Sequence, residues 1–257
     1  MTISFHNGSA AHRAHNARDP RATDRQAHID PAGHHETWID EEPAEAYRRI
    51  FGDAQKEYNA HTRPDRRIRD YFRKIERSDK KHLVYECILT IGNGHGEQPR
   101  PDDGRQIFAE FVRDWPRRNP NLYLIGAYYH ADEPGAAPHV HLDYIPVYHS
   151  TRGMRLQTGL AKALQEQGFT YKDRHRTEQI QWQARERDAL ETACVFRGYQ
   201  IEHPGRQAQH METRLYKARK ELETVTRRYS AVIAATGLAA NIVRDMERSQ
   251  EREGQTR

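Results

Sequence analysis

The stretch YHADEPGAAPHVHLD, from Tyr129 to Asp143, places three histidines around a loop of proline, glycine and alanine. Side chains alternate between the two faces of a strand, so His139, His141 and Asp143 are predicted to share one face. If the flanking segments form an antiparallel hairpin with His130 opposite His139, the opposed Cβ atoms lie about 5 Å apart. The sequence therefore predicts a hairpin with three imidazoles converging on one face.

Three imidazoles on one sheet face form a ligand set for one divalent ion. Three protein ligands leave coordination positions for water or substrate, which is typical of a catalytic rather than a structural metal. Asp132, Glu133 and Asp143 are close enough in sequence to orient the ligands or to act as a base. The alternative is chance, because the chain has sixteen histidines and most histidines are ordinary surface or core residues.

The rest of the chain alternates between helical and strand patterns. The segment HLVYECILTI, from His82 to Ile91, is rich in β-branched and aromatic residues and is followed by a Gly-Asn-Gly turn, which predicts a strand. Apolar residues at helical spacing, with caps and prolines, predict the other elements. Helices are predicted at residues 42–58, 66–75, 102–115, 156–167 and 176–196, and further strands at 3–5, 121–130, 139–147 and 199–202, with a long loop after the first strand.

Composition excludes several classes of protein. The longest apolar run, Leu122 to Tyr129, is far shorter than the roughly 20 residues that a bilayer-spanning helix needs, so no membrane segment is expected. Only Cys87 and Cys194 are present, which excludes a disulfide scaffold and suits a reducing cytoplasm. The formal net charge is +4, so a polyanionic partner is permitted without being required.

Basic residues cluster in one segment between His61 and His82. Nine lysines and arginines accompany only four acidic residues there. Tyr71 and Phe72, in the same segment, offer rings for stacking on bases or for core packing. The alternative to a binding surface is a solvated helix face. We define the basic patch as Arg63, Arg66, Arg67, Arg69, Arg73, Lys74 and Arg77.

The chain changes character after Pro204-Gly205. From Met211 to Met246 apolar residues recur at alternating steps of four and three, which is the seam of a coiled coil. We predict two regions, a globular domain over residues 1–205 and a helical coiled-coil tail over residues 206–257. The tail is predicted to form a homodimer. The alternative is a single amphipathic helix that packs back on the core.

Two motifs together resemble those of a known family. His130-Ala131-Asp132-Glu133, followed by Pro138-His139-Val140-His141-Leu142-Asp143, resembles the metal motif of the Mob/Pre, or MobV-type, plasmid mobilisation and recombination relaxases, a branch of the HUH endonucleases. His15-Asn16-Ala17-Arg18, followed by His28-Ile29-Asp30, resembles the second family motif, in family order. The loop 134–137 is longer than is usual in the family, so the motif fixes the position of Glu133 less closely than that of the histidines.

The resemblance implies a fold and a reaction. The fold would be α+β and HUH-type, an antiparallel sheet that carries the metal histidines and has helices packed on it. The reaction would be metal-dependent, site- and strand-specific nicking and rejoining of DNA at the transfer origin of a plasmid or mobile element, through a covalent protein–DNA intermediate that initiates conjugative mobilisation. The partners would be a single-stranded or hairpin DNA segment, held in part by the basic patch, and the conjugation coupling machinery.

The resemblance also implies residue roles. His15 would be the nucleophile, where most HUH enzymes use tyrosine, and would stay joined to the 5′ end of the cut strand. Glu133 would accept the proton of His15 or orient its ring, and Arg18 would contact a phosphate. The divalent ion, expected to be Mn²⁺ or Mg²⁺, would be bound by His130, His139 and His141.

Two other interpretations stay open. An HUH rolling-circle replication initiator would use a tyrosine nucleophile, and Tyr58 and Tyr71 are candidates on predicted helices. A catalytically inactive relaxase homologue would bind DNA as a repressor or accessory factor. The His-Asn-x-Arg sequence argues against the first interpretation, and the intact metal motif argues against the second.

Overall fold

The described part of the chain, residues 1–23, 26, 28–93 and 96–203 of the computed structural model, holds six strands and eight α-helices. The strands are β1 (Ile3–Gly8), β2 (His34–Asp40), β3 (Tyr85–Ile91), β4 (Leu122–Ala131), β5 (His139–His149) and β6 (Leu156–Thr158). The helices are α1 (Arg13–Asn16), α2 (Pro20–Thr23), α3 (Pro43–Ala60), α4 (Tyr71–Glu76), α5 (Pro101–Arg113), α6 (Trp115–Arg118), α7 (Leu160–Glu166) and α8 (Glu178–Phe196).

The strands form one sheet in the order β1-β3-β5-β4-β2, and β6 pairs with the last residues of β5. Every pairing is antiparallel. β5 is buried along its length except at His149, because strands flank it on both sides and helices cover the sheet. His130 of β4 pairs with His139 of β5. The predicted hairpin and its register are confirmed, and so is an antiparallel α+β sheet with packed helices.

Helices cover both faces of the sheet, and each face has its own core. On one face, Leu142 and Tyr144 of β5 pack with α5, α7 and α8. On the other face, Ile145 and Val147 pack with α3 and α4. The histidines of β5 lie on this second face, since alternate residues of a strand point the same way. They stand at the end of β5 that α3 and α4 leave uncovered, and α1 reaches across the sheet there.

The prediction of a helix over residues 66–75 is wrong in its first half, because α4 begins only at Tyr71. Asp70 is the N-cap, and its side chain accepts a hydrogen bond from a backbone N–H of the first helical turn. The backbone N–H of Ile68 donates to the side-chain oxygen of Asn59 in α3 (2.8 Å), so it is not available to a helical ladder. The apolar spacing marks the buried side chains correctly, while two polar side chains decide the backbone.

The segment after β1 contains more regular structure than the predicted long loop. α1 and α2 follow β1, and β2 forms an edge strand that pairs with β4. The sequence of β2, HHETWID, has only two apolar residues and is partly exposed along its length. Such a strand lacks the regular apolar alternation of a half-buried strand, which is why sequence patterning does not reveal it.

Two other predicted elements differ from the structure. Residues 156–167 divide into β6 and α7, with Gly159 between them as the N-cap of the helix. Residues 199–202 form no strand; instead the backbone N–H of Glu202 donates to the carbonyl oxygen of Met1 (2.8 Å). The other predicted helices and strands are confirmed, with ends that move by a few residues.

The predicted coiled-coil tail over residues 206–257 lies outside the described residues. The division at residue 205 and the homodimer therefore stay predictions. Among the residues that the structure describes, no helix is long and apolar enough to cross a membrane.

Candidate metal centre and active site

Three buried histidines from β4 and β5 form one cluster. His130 is fully buried, and His139 and His141 are 9% and 7% exposed. The ring centroids lie 5.2 Å apart for His130 and His139, 4.8 Å for His130 and His141, and 5.1 Å for the two β5 histidines. One ring nitrogen from each residue lies within 4.8 Å of the other two. The hairpin thus brings the three predicted metal ligands together.

Backbone carbonyls fix the protonation of two of these rings. Nε2 of His130 donates to the carbonyl oxygen of Asn16 (2.7 Å), and Nδ1 of His139 donates to that of Ala137 (3.0 Å). A carbonyl oxygen only accepts, so the other ring nitrogen of each neutral histidine carries the lone pair. Nδ1 of His130 is buried and has no hydrogen-bond partner within the described chain. An unpartnered buried nitrogen that faces two other imidazoles fits a metal ligand.

Glu86 of β3 orients the third histidine. Its Oε1 accepts hydrogen bonds from Nδ1 of His141 (2.8 Å) and from the side-chain amide of Asn16 (2.7 Å). Burial acts to raise the pKa of Glu86, but the hydrogen bonds from His141 and Asn16 lower it overall, so the group is a carboxylate. His141 therefore keeps its Nε2 lone pair free. Glu86 is not among the site residues predicted from the sequence. Its one signal there is that it is a lone carboxylate within an apolar strand.

The electrostatics of the cluster favour neutral imidazoles, the form that binds metals. Burial lowers the pKa of His130 to about 2, and it also lowers the pKa of His139. Each ring has one nitrogen held by an acceptor, an arrangement typical of metal-ligating histidines. Three neutral nitrogens on one side of a sheet suit a divalent transition metal with open coordination positions. The residues present therefore fit the predicted metal.

His15 of α1 stands next to this cluster. Its ring centroid is 6.5 Å from that of His130 and 6.4 Å from that of His141. Nη1 of Arg18 lies 3.3 Å from Nε2 of His15, and because a guanidinium only donates, Nε2 is the nitrogen with the lone pair. Burial, followed by the charge of Arg18, lowers the pKa of His15. The ring is therefore neutral near pH 7 and has a nucleophilic nitrogen.

Arg18 is fixed by carboxylates rather than exposed to solvent. Its Nε and Nη2 donate to the two oxygens of Asp132 (2.7 and 2.6 Å), and Nη2 also donates to Glu133 (2.8 Å). Arg18 is the one non-glycine residue with positive φ among those described, at 56°. Such a conformation costs free energy, and it persists where surrounding contacts fix it. These contacts hold the guanidinium of Arg18 in place, and its predicted contact with a phosphate stays a prediction.

Glu133 lies between His15 and the histidine cluster. Its Oε1 is 3.7 Å from Nε2 of His139 and forms the ion pair with Arg18 described above. A carboxylate oxygen of Glu133 and one ring nitrogen each of His15 and His28 lie within 4.8 Å of one another. The longer loop 134–137 therefore does not remove Glu133 from the site. His28 also lies beside His15, and no role was predicted for it from the sequence.

The other two acidic residues of the motif differ in their charge. Asp132 is the buried partner of Arg18, and its carbonyl oxygen accepts a hydrogen bond from the backbone N–H of Asp30 (2.8 Å). A Cβ atom at Gly33 would lie 2.6 Å from the Cα of Asp132, so this close approach requires glycine. Burial and the nearby Glu86 raise the pKa of Asp143 to about 8. Burial therefore favours the protonated form of Asp143.

The basic patch is exposed and lies apart from the histidine cluster, on the segment from the 3-10 turn at residues 64–66 through α4 and just beyond it. Arg73 pairs with Glu76 on α4 (2.7 Å), and Nε of Arg67 donates to the carbonyl oxygen of Thr62 (3.2 Å). These contacts leave the guanidinium groups accessible to a polyanion. Its contribution to DNA binding stays a prediction.

The two tyrosines considered as nucleophiles lie outside the cluster. Tyr71 packs in the core between α3 and α4, and its hydroxyl oxygen accepts a hydrogen bond from the backbone N–H of Thr158 (3.1 Å). Burial raises the pKa of Tyr71 to about 12, which opposes formation of a phenolate. Tyr58 packs against the same core from the last turns of α3.

Comparison with known proteins agrees with the resemblance seen in the sequence. The profile of the Mob_Pre family, described as plasmid recombination enzyme, matches residues 22–218, which is more than half of the chain. The motif His15–Arg18 precedes the matched range, so its place in the site rests on the geometry above. No curated protein matches the sequence significantly.

The solved structures that match the chain share little sequence identity with it. One is the MobM relaxase domain (MOBV; Mob_Pre), Mn-bound and in complex with oriT DNA of plasmid pMV158, with 17% identity, a TM-score of 0.49, and coverage of 85% of this chain and 99% of that one. Another, titled as the molecular basis of vancomycin resistance transfer in Staphylococcus aureus, has 12% identity, a TM-score of 0.40, and coverage of 80% and 100%. On the match of the family profile, this chain belongs to the Mob_Pre family of plasmid recombination enzymes.

Proposed function

We propose that this chain is a metal-dependent DNA relaxase that nicks and rejoins one strand at the transfer origin of a plasmid or mobile element. One observation carries the proposal: His15 presents a lone-pair nitrogen beside three buried histidines, and one ring nitrogen from each of the three lies within 4.8 Å of the other two. Membership of a plasmid recombination family supports plasmid DNA as the substrate. The MobM relaxase domain is described as bound to oriT DNA and manganese, which agrees with this choice of substrate and metal.

The metal would be held by Nδ1 of His130 and by Nε2 of His139 and His141. When bound, a divalent ion supplies Lewis-acid chemistry, because it polarises the scissile phosphate and stabilises the charge that builds on its oxygens. Mn²⁺ or Mg²⁺ is the proposed working ion. Imidazole ligands also bind Zn²⁺ tightly, so the ion of highest affinity and the ion of highest activity can differ.

His15 is the proposed nucleophile. Its Nε2 lone pair forms a bond to phosphorus, the bond from phosphorus to the 3′ oxygen breaks, and that oxygen leaves with the bonding electrons and takes up a proton from solvent. The ring proton on Nδ1 passes to Glu133, whose carboxylate lies within 4.8 Å of a ring nitrogen of His15. The phosphoramidate that results joins the protein to the 5′ end. Attack by the 3′ hydroxyl reverses the step and rejoins the strand without ATP.

Arg18 is proposed to move between two partners during this step. Before DNA binds, its Nη1 faces the lone pair of His15, while its other donors are occupied by Asp132 and Glu133. A phosphate oxygen that replaces the His15 contact would free the lone pair for attack and neutralise part of the phosphate charge. Asp132 holds the guanidinium in place throughout, which makes it a positioning residue.

The experiment that tests the proposal is the identification of the covalent adduct. The full chain, Mn²⁺ and a supercoiled plasmid with the chain's own origin region should give relaxed DNA and a protein–DNA adduct on a denaturing gel. His15→Ala should form no adduct, because it removes the ring that carries the proposed nucleophilic nitrogen. His12→Ala, which removes an exposed histidine three residues earlier, should form the adduct as the wild type does.

The chemistry of the linkage distinguishes the alternatives. A phosphoramidate on histidine hydrolyses in acid, whereas a phosphodiester on tyrosine survives the same treatment. An acid-stable adduct that persists in His15→Ala would contradict the proposal and favour a tyrosine-dependent replication initiator. Absence of an adduct with every divalent ion, while DNA binding is retained, would instead favour an inactive DNA-binding homologue.

A further inference from the structure

A cleft of about 840 Å³ lies at the ends of β1 and β3, on the side of the sheet where α7 and α8 begin. We call it the lysine cleft. Lys80 and Lys81, which precede β3, form one part of its wall, and Lys162 of α7 forms another. His82 and Tyr85 lie between them, and the ring of Tyr85 is only partly buried. The fold thus brings together three lysines and two rings from segments 80 residues apart in the chain.

The ammonium groups of the lysine cleft have no carboxylate partner among the described residues. Nζ of Lys81 donates to the carbonyl oxygen of Thr158 (3.1 Å), and Nζ of Lys162 lies 4.7 Å from the centre of the Tyr148 ring. The pKa of Lys81 is lowered by burial and then by the charges of neighbouring lysines, Lys162 among them. Ammonium groups that line one cleft without a carboxylate partner attract a polyanion.

One carboxylate, that of Glu178, lines the lysine cleft and accepts a hydrogen bond from a neighbouring side chain. Oε1 of Glu178 accepts a hydrogen bond from the side-chain amide of Gln165 (2.7 Å). Glu178 is also mostly buried, so it offers little of its negative charge to the cleft. The balance of accessible charge in the lysine cleft is therefore positive.

The lysine cleft continues toward the histidine cluster. A second cleft of about 440 Å³ shares Ser9, Lys81 and His82 with it. This second cleft extends to Tyr128 and Asp143, on the face of the sheet that carries the histidines. Asp143 is directly paired with Glu86 of β3. Since five residues separate Lys81 from Glu86, the lysine cleft begins within about 17 Å of the site, measured along an extended strand. This is a span of a few nucleotides.

Two acidic side chains of the second cleft are neutralised by arginines. Glu76 pairs with Arg73 (2.7 Å), and Glu41 pairs with Arg49 (2.6 Å). A polyanion that passes from the histidine cluster to the lysine cleft therefore meets Glu41 and Glu76 as ion pairs with arginines rather than as free carboxylates.

We propose that the lysine cleft binds the phosphodiester backbone of single-stranded DNA that flanks the scissile phosphate. This inference rests on the proposed function, since it assumes that DNA occupies the histidine cluster. The unpaired ammonium groups suit successive phosphates. The Tyr85 ring stacks on Tyr144 (ring centroids 5.9 Å apart), so the exposed His82 is the ring on which an unpaired base can stack. Lys162 is the residue that extends the binding surface beyond the segment that contains the basic patch.

The first test measures how salt weakens DNA binding. Binding of a fluorescent oligothymidylate of about 25 nucleotides is followed by anisotropy in EDTA, so neither metal nor cleavage contributes. The variant K80Q/K81Q/K162Q should flatten the slope of log K against log salt by about 2, at about 0.7 for each lost single-strand phosphate contact. Its control removes three positive charges from exposed sites on α3, α5 and α6. That control is K56Q/R113Q/R117Q.

The control variant should keep the slope of the wild type. An unchanged slope in K80Q/K81Q/K162Q, or an equal change in both variants, would overturn the proposal. Because Lys81 also contacts the backbone of β6, the exposed Lys162→Glu is tested as well, with its melting temperature. Lys162→Glu should fold as the wild type does and bind the oligonucleotide more weakly, and a folded Lys162→Glu with wild-type affinity would contradict the inference.

The second test maps the protected amines. The full chain is acetylated with and without the oligothymidylate, and the modified lysines are identified by mass spectrometry. Lys80, Lys81 and Lys162 should be protected by the oligonucleotide, whereas Lys56 should not. Equal protection by inorganic phosphate alone would show a site for small anions and overturn the proposal. These measurements need no cleavage, so they can fail while the His15 adduct forms, or succeed while it does not.

Discussion

Glu86 is the residue that connects the candidate nucleophile segment to the metal cluster. One of its oxygens accepts from both His141 and Asn16, the neighbour of His15 in the chain. Asn16 in turn accepts from His130 through its backbone carbonyl. A change at Glu86 therefore alters the orientation of a proposed ligand and the position of α1 together.

Removal of the Glu86 carboxylate should weaken metal binding. Glu86→Ala frees Nδ1 of His141, so the ring loses the acceptor that fixes its protonation and orientation. Loss of such a partner typically lowers metal affinity by about 10- to 100-fold. Calorimetric titration of the apo protein with Mn²⁺ and with Zn²⁺ measures this change, and Glu86→Gln, which keeps an oxygen acceptor, should show a smaller loss.

Glu57→Ala is the matched control for this measurement, because Glu57 is an exposed glutamate of α3 that pairs only with Arg155. It should keep the metal affinity of the wild type. If Glu86→Ala is folded and binds both ions as tightly as the wild type, Glu86 does not orient a ligand.

At the residue scale, the sequence predicts contacts between side chains that are near each other in the chain. It predicts less well the contacts that only the fold creates. His130, His139 and His141 belong to one hairpin, so strand alternation places them on one face without knowledge of the rest of the sheet. Glu86 reaches them only because β3 pairs with β5, and Asn16 only because α1 lies across that end of the sheet. No local pattern encodes those two contacts.

At the scale of elements, Glu36 links the edge strand β2 to the helix α5. Its carboxylate accepts hydrogen bonds from Nε of Arg105 (2.5 Å) and from Nε1 of Trp38 (2.6 Å), and Nε2 of His34 lies 2.8 Å away. The hydrogen bond from Arg105 is the main cause that lowers the pKa of Glu36 to about 2. An edge strand with few apolar residues thus gains stability from a polar contact.

This contact predicts a pH dependence of stability. The pKa of Glu36 in the folded state, about 2, is below the value of about 4.3 expected in the unfolded chain, so the contact stabilises the fold above that value and the effect is lost as pH falls toward 2. Glu36→Gln should lower the free energy of unfolding at pH 7 by about 1 kcal/mol, given partial exposure. Denaturation followed by circular dichroism at pH 7, 5, 4 and 3 should show the difference narrowing with acid.

Glu45→Gln is the control, since Glu45 is exposed on α3 and makes only a long ion pair with Arg48 (3.5 Å). It should differ little from the wild type at any of these pH values. A constant difference between Glu36→Gln and the wild type from pH 7 to pH 3 would contradict the assigned ion pair.

Elements with strong periodic patterns are predicted well, and elements held by polar contacts are not. The strands β4 and β5 and the helices α3, α5 and α8 follow from apolar spacing and end signals. The wrong part of the predicted helix at residues 66–70 and the unpredicted β2 share one cause. In both, contacts outside the segment matter more than its own apolar pattern: the side chain of Asn59 binds the backbone of Ile68, and β2 is held by its pairing with β4.

At the scale of the whole molecule, the two faces of the sheet differ in content: one holds the larger apolar core and the other holds the candidate site. One face is covered by α5 to α8 and holds the larger apolar cluster, including two tryptophans. The other face is covered by α3 and α4 over only part of its length, and its uncovered end holds the histidines, α1 and the second cleft. Only 36% of the residues are hydrophobic, so a chain of this length has little apolar surface to spare for additional helices.

Because apolar residues are limited, we expect the predicted coiled coil to determine the oligomeric state of the whole chain, which can be measured. The seam from Met211 to Met246 lies outside the described residues, and its heptads predict a homodimer because an exposed apolar seam is unfavourable. Light scattering of the full chain at micromolar concentration should give twice the monomer mass. The variant L215E/L222E, which places charges in the seam, should give a monomer that still forms the adduct, since the proposed catalytic residues all precede residue 205. The control T213E/T224E adds the same charges at positions between the seam residues and should remain a dimer, whereas a monomeric wild type would mean that the seam packs on its own chain.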